Sequence, residues 1–224
     1  GASGRLGASF AQRNAARNGV AIGTVVVGTG LVIGVGSLVS SINAAIGSWI
    51  ETTVVGDLFV TTPLSFPDDF GATATAVDGV DIASGVGIRI VRYEDEALAR
   101  GRSVALVLVD PARFHPETGF GSFLYIPGQG DSASAYEALL SGDGVLVANT
   151  MRDRYDIDKG DTVSLRTSAG FEEFPVAGVV VDFTGGGEAI IASIGRIQDF
   201  GGGTPELYVL TVDPGRSPDE VRAN

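Results

Sequence analysis

The chain has no cysteine, one histidine, His115, and one lysine, Lys159. Lacking cysteine, it can form no disulfide, carries no thiolate nucleophile and offers no sulfur ligand to zinc. A single histidine, in Arg113-Phe114-His115-Pro116, leaves nothing to pair with it in a metal site, and no serine stands in a Gly-x-Ser-x-Gly elbow; His115 reads as an exposed loop residue. Without clustered Lys and Arg the chain cannot neutralise a run of phosphates, so nucleic acid is excluded as a partner. The sequence predicts no enzyme, no cofactor and no metal.

The most informative absence is of charge. Between Arg17 and Glu51 there is no charged residue, and residues 20–39 are almost wholly apolar. A hydrocarbon core needs about 20 such residues. Residues 40–50 turn small and polar around Trp49, which suits a helix leaving the headgroup region as a stalk. Arg5, Arg13 and Arg17 precede the run with no acid among them, which by the positive-inside rule puts the N-terminus in the cytoplasm. All 27 acidic residues lie at or beyond Glu51 with only 12 of the 15 basic ones, so the part beyond the run has a formal charge of −15.

Three rival readings of the run are weaker. A secretory signal has an apolar region of only about 7–15 residues. A dinucleotide fold would make 24–27 a strand and Gly28, Gly30 and Gly34 a phosphate turn, with Glu51 near the ribose, but its helix would lack a polar face. A buried core helix of this length is uncommon in a domain of this size. Within the run, Gly19/Gly23 and Gly30/Gly34 are spaced for close packing against other helices.

Beyond the stalk, short β-prone runs are separated by turn clusters. Strands are predicted at 57–62, 87–93, 104–110, 122–126, 144–149, 162–167, 174–183, 189–194 and 207–212, and helices at 132–140, 150–155 and 193–200. This is an α+β pattern: an N-terminal transmembrane helix continuing into a stalk, then a strand-rich extracytoplasmic domain with few short helices. The expected divisions are 1–18, a cytoplasmic lead-in; 19–55, span and stalk; and 56–224, the outer domain. Ser217-Pro218 opens a further helix, and with Gly1 in place of Met the chain reads as a piece of a longer polypeptide.

Several local patterns carry no chemistry on this reading. Asp153, Asp156, Asp158 and Asp161 suggest a calcium loop, but the sixth and twelfth positions, which need glycine and glutamate, hold Asp161 and Thr167. Residues 158–161 are instead expected to form a turn with Gly160 at positive φ. The pairs Glu94/Glu96 and Glu172/Glu173 read as solvated faces. The triplets 185–187 and 201–203 read as flexible loops, since no Walker lysine follows either.

The order of the pieces resembles a known family. A lead-in at 9–18 precedes the glycine-rich span, a stalk follows, then Gly56-Asp57-Leu58-Phe59-Val60, and later a block at 142–183. This is similar to the FtsX-like permeases of ABC transporters, whose extracytoplasmic insert is the MacB-type periplasmic core domain. The match lies in Asp57, Leu58 and Val60 for the strand after the span, and in Gly160, Asp161 and Val163 for a Gly-Asp-x-Val turn into a strand. It runs from about residue 9 to 223 and is least recognisable over 67–130. The Arg-Asn pairs at 13–14 and 17–18 resemble the second half of the long, duplicated members.

The resemblance implies mechanical rather than catalytic work. A separate cytoplasmic ATPase would drive the stalk and outer domain, for export or extraction of a lipid, lipoprotein or peptide, or for extracytoplasmic signalling. The implied partners are that ATPase subunit, the other permease helices, membrane lipids and an extracytoplasmic protein, and the implied location is the cell membrane with the main domain outside. A single-pass anchored binding or adhesion module is the alternative, and a membrane-anchored hydrolase a third.

Overall fold

The computed structural model describes residues 15–53, 56–94, 101–114 and 123–222, with the first helix's side chains described over 19–44. The chain divides into two units, Gly1–Gly47 and Ser48–Asn224.

Helix α1, Ala15–Thr53, is continuous through the charge-free run. Its segment Gly19–Ala44 is strongly apolar, with a mean hydropathy of 2.1, and its side chains are exposed throughout. Leu31, Val32 and Ile33 are each about two-thirds exposed. A core helix would bury these side chains, and a dinucleotide fold would need a strand at 24–27, so both rivals fall. Thr24 Oγ1 donates to the Val20 carbonyl at 2.9 Å, which satisfies the hydroxyl within the helix, as an apolar setting requires.

The second unit is built on one eight-stranded sheet. Its strands are β1 (Leu58–Thr61), β2 (Val80–Glu94), β3 (Arg102–Val109), β4 (Val145–Ala148), β5 (Thr162–Thr167), β6 (Gly170–Val180), β7 (Ala189–Ser193) and β8 (Leu207–Val212). The order is β1-β8-β2-β3-β7-β4-β6-β5, and β5 pairs again with β2 through Tyr93↔Leu165 and Glu94↔Ser164. Six strands therefore close into a barrel, with β8 and β1 as an antiparallel wing on the first half of β2. The contacts β3–β7 and β4–β6 are parallel and the rest antiparallel.

Alternation along the strands sorts side chains into separate cores. The barrel interior is filled by Leu106, Leu108, Val145, Val147, Leu165, Phe174 and Ile190 among others. On the outer face, Val109, Leu146, Val180 and Ile191 pack against Ala135 and Leu139 of α3 (Ser132–Ser141). That helix is capped by Asp131, which accepts from the Ser134 amide at 2.9 Å, and ends at Gly142 with φ of 76°. The wing has its own core of Leu58, Phe66, Ala74, Tyr208, Leu210 and Val221. Two short helices cover it, α2 (Phe70–Thr75) and α5 (Pro218–Arg222), with α4 (Asn149–Tyr155) lying at the barrel. Ser217 and Glu220 cap α5 reciprocally, each side chain accepting from the other's amide at 3.3 Å.

Several expectations need correction. Strand β2 begins at Val80, because Ser84 and Gly85, which look like turn residues, pair with β8, and Asp81 sits at a register shift between Val80 and Ile82. Likewise β6 begins at Gly170, in a hairpin with β5. Of the run at 122–126, the described residues 123–126 form only an isolated bridge, Tyr125↔Val180, since Pro127 lacks an N–H and Gly128 turns away at φ of 79°. Residues 193–200 form a 3-10 turn at Ile194–Arg196 and further turns, not an α-helix, with Ser193 Oγ accepting from the Gly195 amide. Helix α2 was not expected from its Gly, Ala and Thr composition. The glycine triplets are held turns rather than free loops. A Cβ on Gly185 would lie 2.7 Å from the Ala105 Cβ, and one on Gly187 2.6 Å from Thr150 Oγ1. In the second triplet the Gly202 carbonyl accepts from Arg89 Nη2 at 3.0 Å.

Candidate functional site

Glycines 19, 23, 30 and 34 fall on one face of α1, within an arc of roughly 60° at 3.6 residues per turn. A Cβ on any of them would meet nothing within 4 Å, so the face is open for a partner backbone to approach. Of the arginines used for orientation, Arg5 and Arg13 lie outside the described residues, and Arg17 lies in the first turns of α1. His115 and Glu96 are also outside the described residues.

The family-like residues at the start of the outer unit fasten β1 to β8. Asp57 donates its amide to the Leu210 carbonyl at 2.9 Å and accepts the Val212 amide on Oδ2 at 2.8 Å. Leu58 is buried in the wing's core and Val60 packs against it. These residues position a strand and carry no reactive group.

The acidic stretch after α4 is a structural turn. Asp156 takes the left-handed conformation at the end of α4, and Gly160 has φ of 96° with its amide on the Val176 carbonyl at 2.9 Å. Asp161 Oδ2 accepts the Asp158 amide at 2.7 Å, and Val163 enters the barrel core. Asp158 Oδ1 is shared by Arg152 Nε at 2.7 Å and Gln129 Nε2 at 2.9 Å, while Gln129 Oε1 takes the Lys159 amide at 2.8 Å. Carboxylates so engaged face protein donors rather than converging on an ion. Among the described residues no group of three or more His, Cys, Asp or Glu could hold a metal.

Two further polar clusters form between segments too far apart in the chain to be paired from the sequence. Arg196 stacks on Phe174 at 5.1 Å, donates through Nη2 to both oxygens of Glu172 at 2.7 and 2.8 Å and through Nη1 to the Gly142 carbonyl at 3.1 Å, and pairs with Asp199. These hydrogen bonds, the one to Glu172 first, raise the guanidinium's pKa further. Glu172 is thus held by Arg196 while its side chain stays partly exposed, and Glu173 beside it is exposed. Glu188 pairs with Arg154 and lies 4.0 Å from Arg102, whose guanidinium sits 5.9 Å from the Tyr155 ring. Both clusters join segments distant in sequence.

The described residues thus offer an exposed apolar helix and a barrel with a wing, in which the two clusters above join distant segments. The family of MacB-like periplasmic core domains matches residues 19–224, through helix and sheet alike. The chain belongs to this family. The MacB-like chain is 27% identical over 187 residues to the uncharacterized ABC transporter permease protein Rv0987 of Mycobacterium tuberculosis, covering 81% of this chain and 21% of that protein. It spans about a fifth of the length of that curated relative. In fold it is similar to the extracellular domain of the noncanonic ABC-type transporter YknZ from Gram-positive bacteria, with a TM-score of 0.51, 14% identity, and 72% of this chain and 79% of that one covered. The periplasmic region of MacB from Actinobacillus actinomycetemcomitans gives 0.50 and 11%, over 73% and 71%.

Proposed function

We propose that the MacB-like chain is a membrane-spanning and extracytoplasmic part of an ABC transporter permease, without catalytic activity of its own. Its role is to couple ATP hydrolysis by a separate cytoplasmic subunit to export or extraction of a substrate such as a lipid, lipoprotein or peptide, or to extracytoplasmic signalling. The observation that carries this reading is the joining of one exposed apolar span, Gly19–Ala44, to a strand-rich domain, with the family match running through both. The likeness to part of a permease supports it. On this reading Arg5, Arg13 and Arg17 hold the N-terminal side in the cytoplasm. Gly19, Gly23, Gly30 and Gly34 seat the span against other permease helices, and membrane lipid covers the rest. The acidic outer domain is the part that engages an extracytoplasmic partner.

The test is purification of the natural full-length protein from its own membranes in mild detergent. A stoichiometric ATPase carrying a Walker motif is expected, with hydrolysis that falls when the outer domain is deleted. Recovery of the protein alone, with no nucleotide-hydrolysing partner, would leave a single-pass anchored module and sink the proposal.

A further inference from the structure

The wing of the sheet has an open edge. Among the described residues β1 pairs with β8 alone, from Leu58↔Leu210 to Thr61↔Leu207, and β8 pairs on its other side with β2. Every second residue of an edge strand directs its N–H and C=O away from the sheet, where they form a template for a further strand. Beside this edge lies a groove of about 480 Å³. β1 reaches it with Leu58, and the covering helices with Phe70 and Ala74 of α2 and Val221 of α5. Phe59, 50% exposed, and Val77, 37% exposed, also line it. A cavity about a third as large accommodates benzene, so the groove has room for more than one apolar side chain.

The topology of the wing determines what belongs there. β1 and β2 both run antiparallel to β8 and are therefore parallel to each other, joined by α2 in a crossover past β8. Crossovers between parallel strands are almost always right-handed. α5 follows β8 as α2 follows β1, and both helices lie on one face, since Phe70 and Ala74 share a core with Val221, Leu58, Tyr208 and Leu210. Because β8 points the opposite way to β1, a right-handed crossover from β8 with its helix on that same face travels in the opposite direction across the sheet. It passes β1 and ends at the open edge, parallel to β8 and antiparallel to β1. Two crossovers interleaved in this way make a split β-α-β-β-α-β sheet, of which the described residues of the wing supply all but the last strand.

We propose that the segment of the natural full-length protein that follows α5 forms this strand, pairing with the free edge of β1 and setting apolar side chains into the groove against Ala74, Val77 and Val221. β1, the first strand after α1 in the chain, then becomes an interior strand of the wing. The inference rests on the sheet alone and stands whether or not an ATPase partner is found.

Hydrogen exchange read by mass spectrometry tests it, on the natural full-length protein purified in nanodiscs and on the chain ended at Asn224. Peptides spanning β1 should exchange at least tenfold more slowly in the full-length protein than in the shorter chain, at every protein concentration, with peptides of β4 and β7 equally protected in both as a check on folding. Val77→Asp, which places a charge in the groove, should speed exchange of β1 in the full-length protein at least tenfold and leave β4 and β7 unchanged; that reading suffices should the shorter chain not fold. Equal exchange of β1 in both chains, or no effect of Val77→Asp, would mean that the edge stays open. Protection that grows with protein concentration would assign the edge to a second copy, and protection that needs an added partner would assign it to that partner. Any of these results overturns the proposal.

Discussion

At the scale of single residues, the turns that look loosest in the sequence are among the tightest in the fold. Gly187 has φ of 86° and a Cβ there would meet Thr150 Oγ1 at 2.6 Å, whereas Gly186 has φ of 74° with open space around it. Alanine at Gly186 should cost about 1–2 kcal/mol, the penalty of the left-handed conformation, and alanine at Gly187 measurably more. Denaturant midpoints of the two variants check this, and equal midpoints would show that the close approach is unimportant. Asp131 offers a test by pH. The Ser134 amide and hydroxyl, with a smaller contribution from Lys159, hold its carboxyl below the ordinary carboxylate range. A depressed folded value stabilises above the unfolded value and is lost as pH falls through the folded one. Asp131→Asn, which keeps a capping side chain, should therefore flatten the loss of melting temperature below about pH 4. An unchanged acid slope would contradict it.

At the scale of elements, what could be read from the sequence followed from how local each signal is. The span, α3, α4, β5, β7 and β8 each advertise themselves through an uninterrupted apolar run, a cap or clean alternation. The turn at 158–161 was legible because Gly160 and the flanking aspartates specify it locally. By contrast β2 was only half visible, since Ser84 and Gly85 take strand geometry from pairing with β8, more than a hundred residues away. The segment 193–200 has apolar residues at helical spacing, yet Gly195 breaks its first turn and Arg196 is drawn to Glu172. For α1, the open glycine face predicts that Gly30→Leu with Gly34→Leu leaves membrane insertion intact while weakening association with the other permease helices. Blue-native electrophoresis of extracted membranes would show the complex dissociating; an intact complex would mean that this face meets only lipid.

At the scale of the whole molecule, the barrel has two seams of only two residue pairs, against seven between β2 and β3: β4–β7, whose four paired residues are all buried, and β2–β5, whose Glu94 is exposed. The β2–β5 seam should be the first part of the barrel to open. Amides around Leu165 are expected to exchange hydrogen faster than those of β3 and β7, whose Leu106 and Ile190 are fully buried; uniform protection around the barrel would contradict this. The two units otherwise differ in what they expose: the first carries the charge-free apolar segment Gly19–Ala44, and the second holds all 27 acidic residues over its own buried cores. The central claim is that the membrane lies across the first unit, with the N-terminus inside and the second unit outside. Because the chain has no cysteine, single cysteines can report this without background. In intact cells, a small membrane-impermeant maleimide should label Glu173→Cys, exposed on β6, and should reach Ser3→Cys only after the cell membrane is permeabilised. Labelling of Ser3→Cys in intact cells with Glu173→Cys protected, or equal labelling of both, would contradict the account.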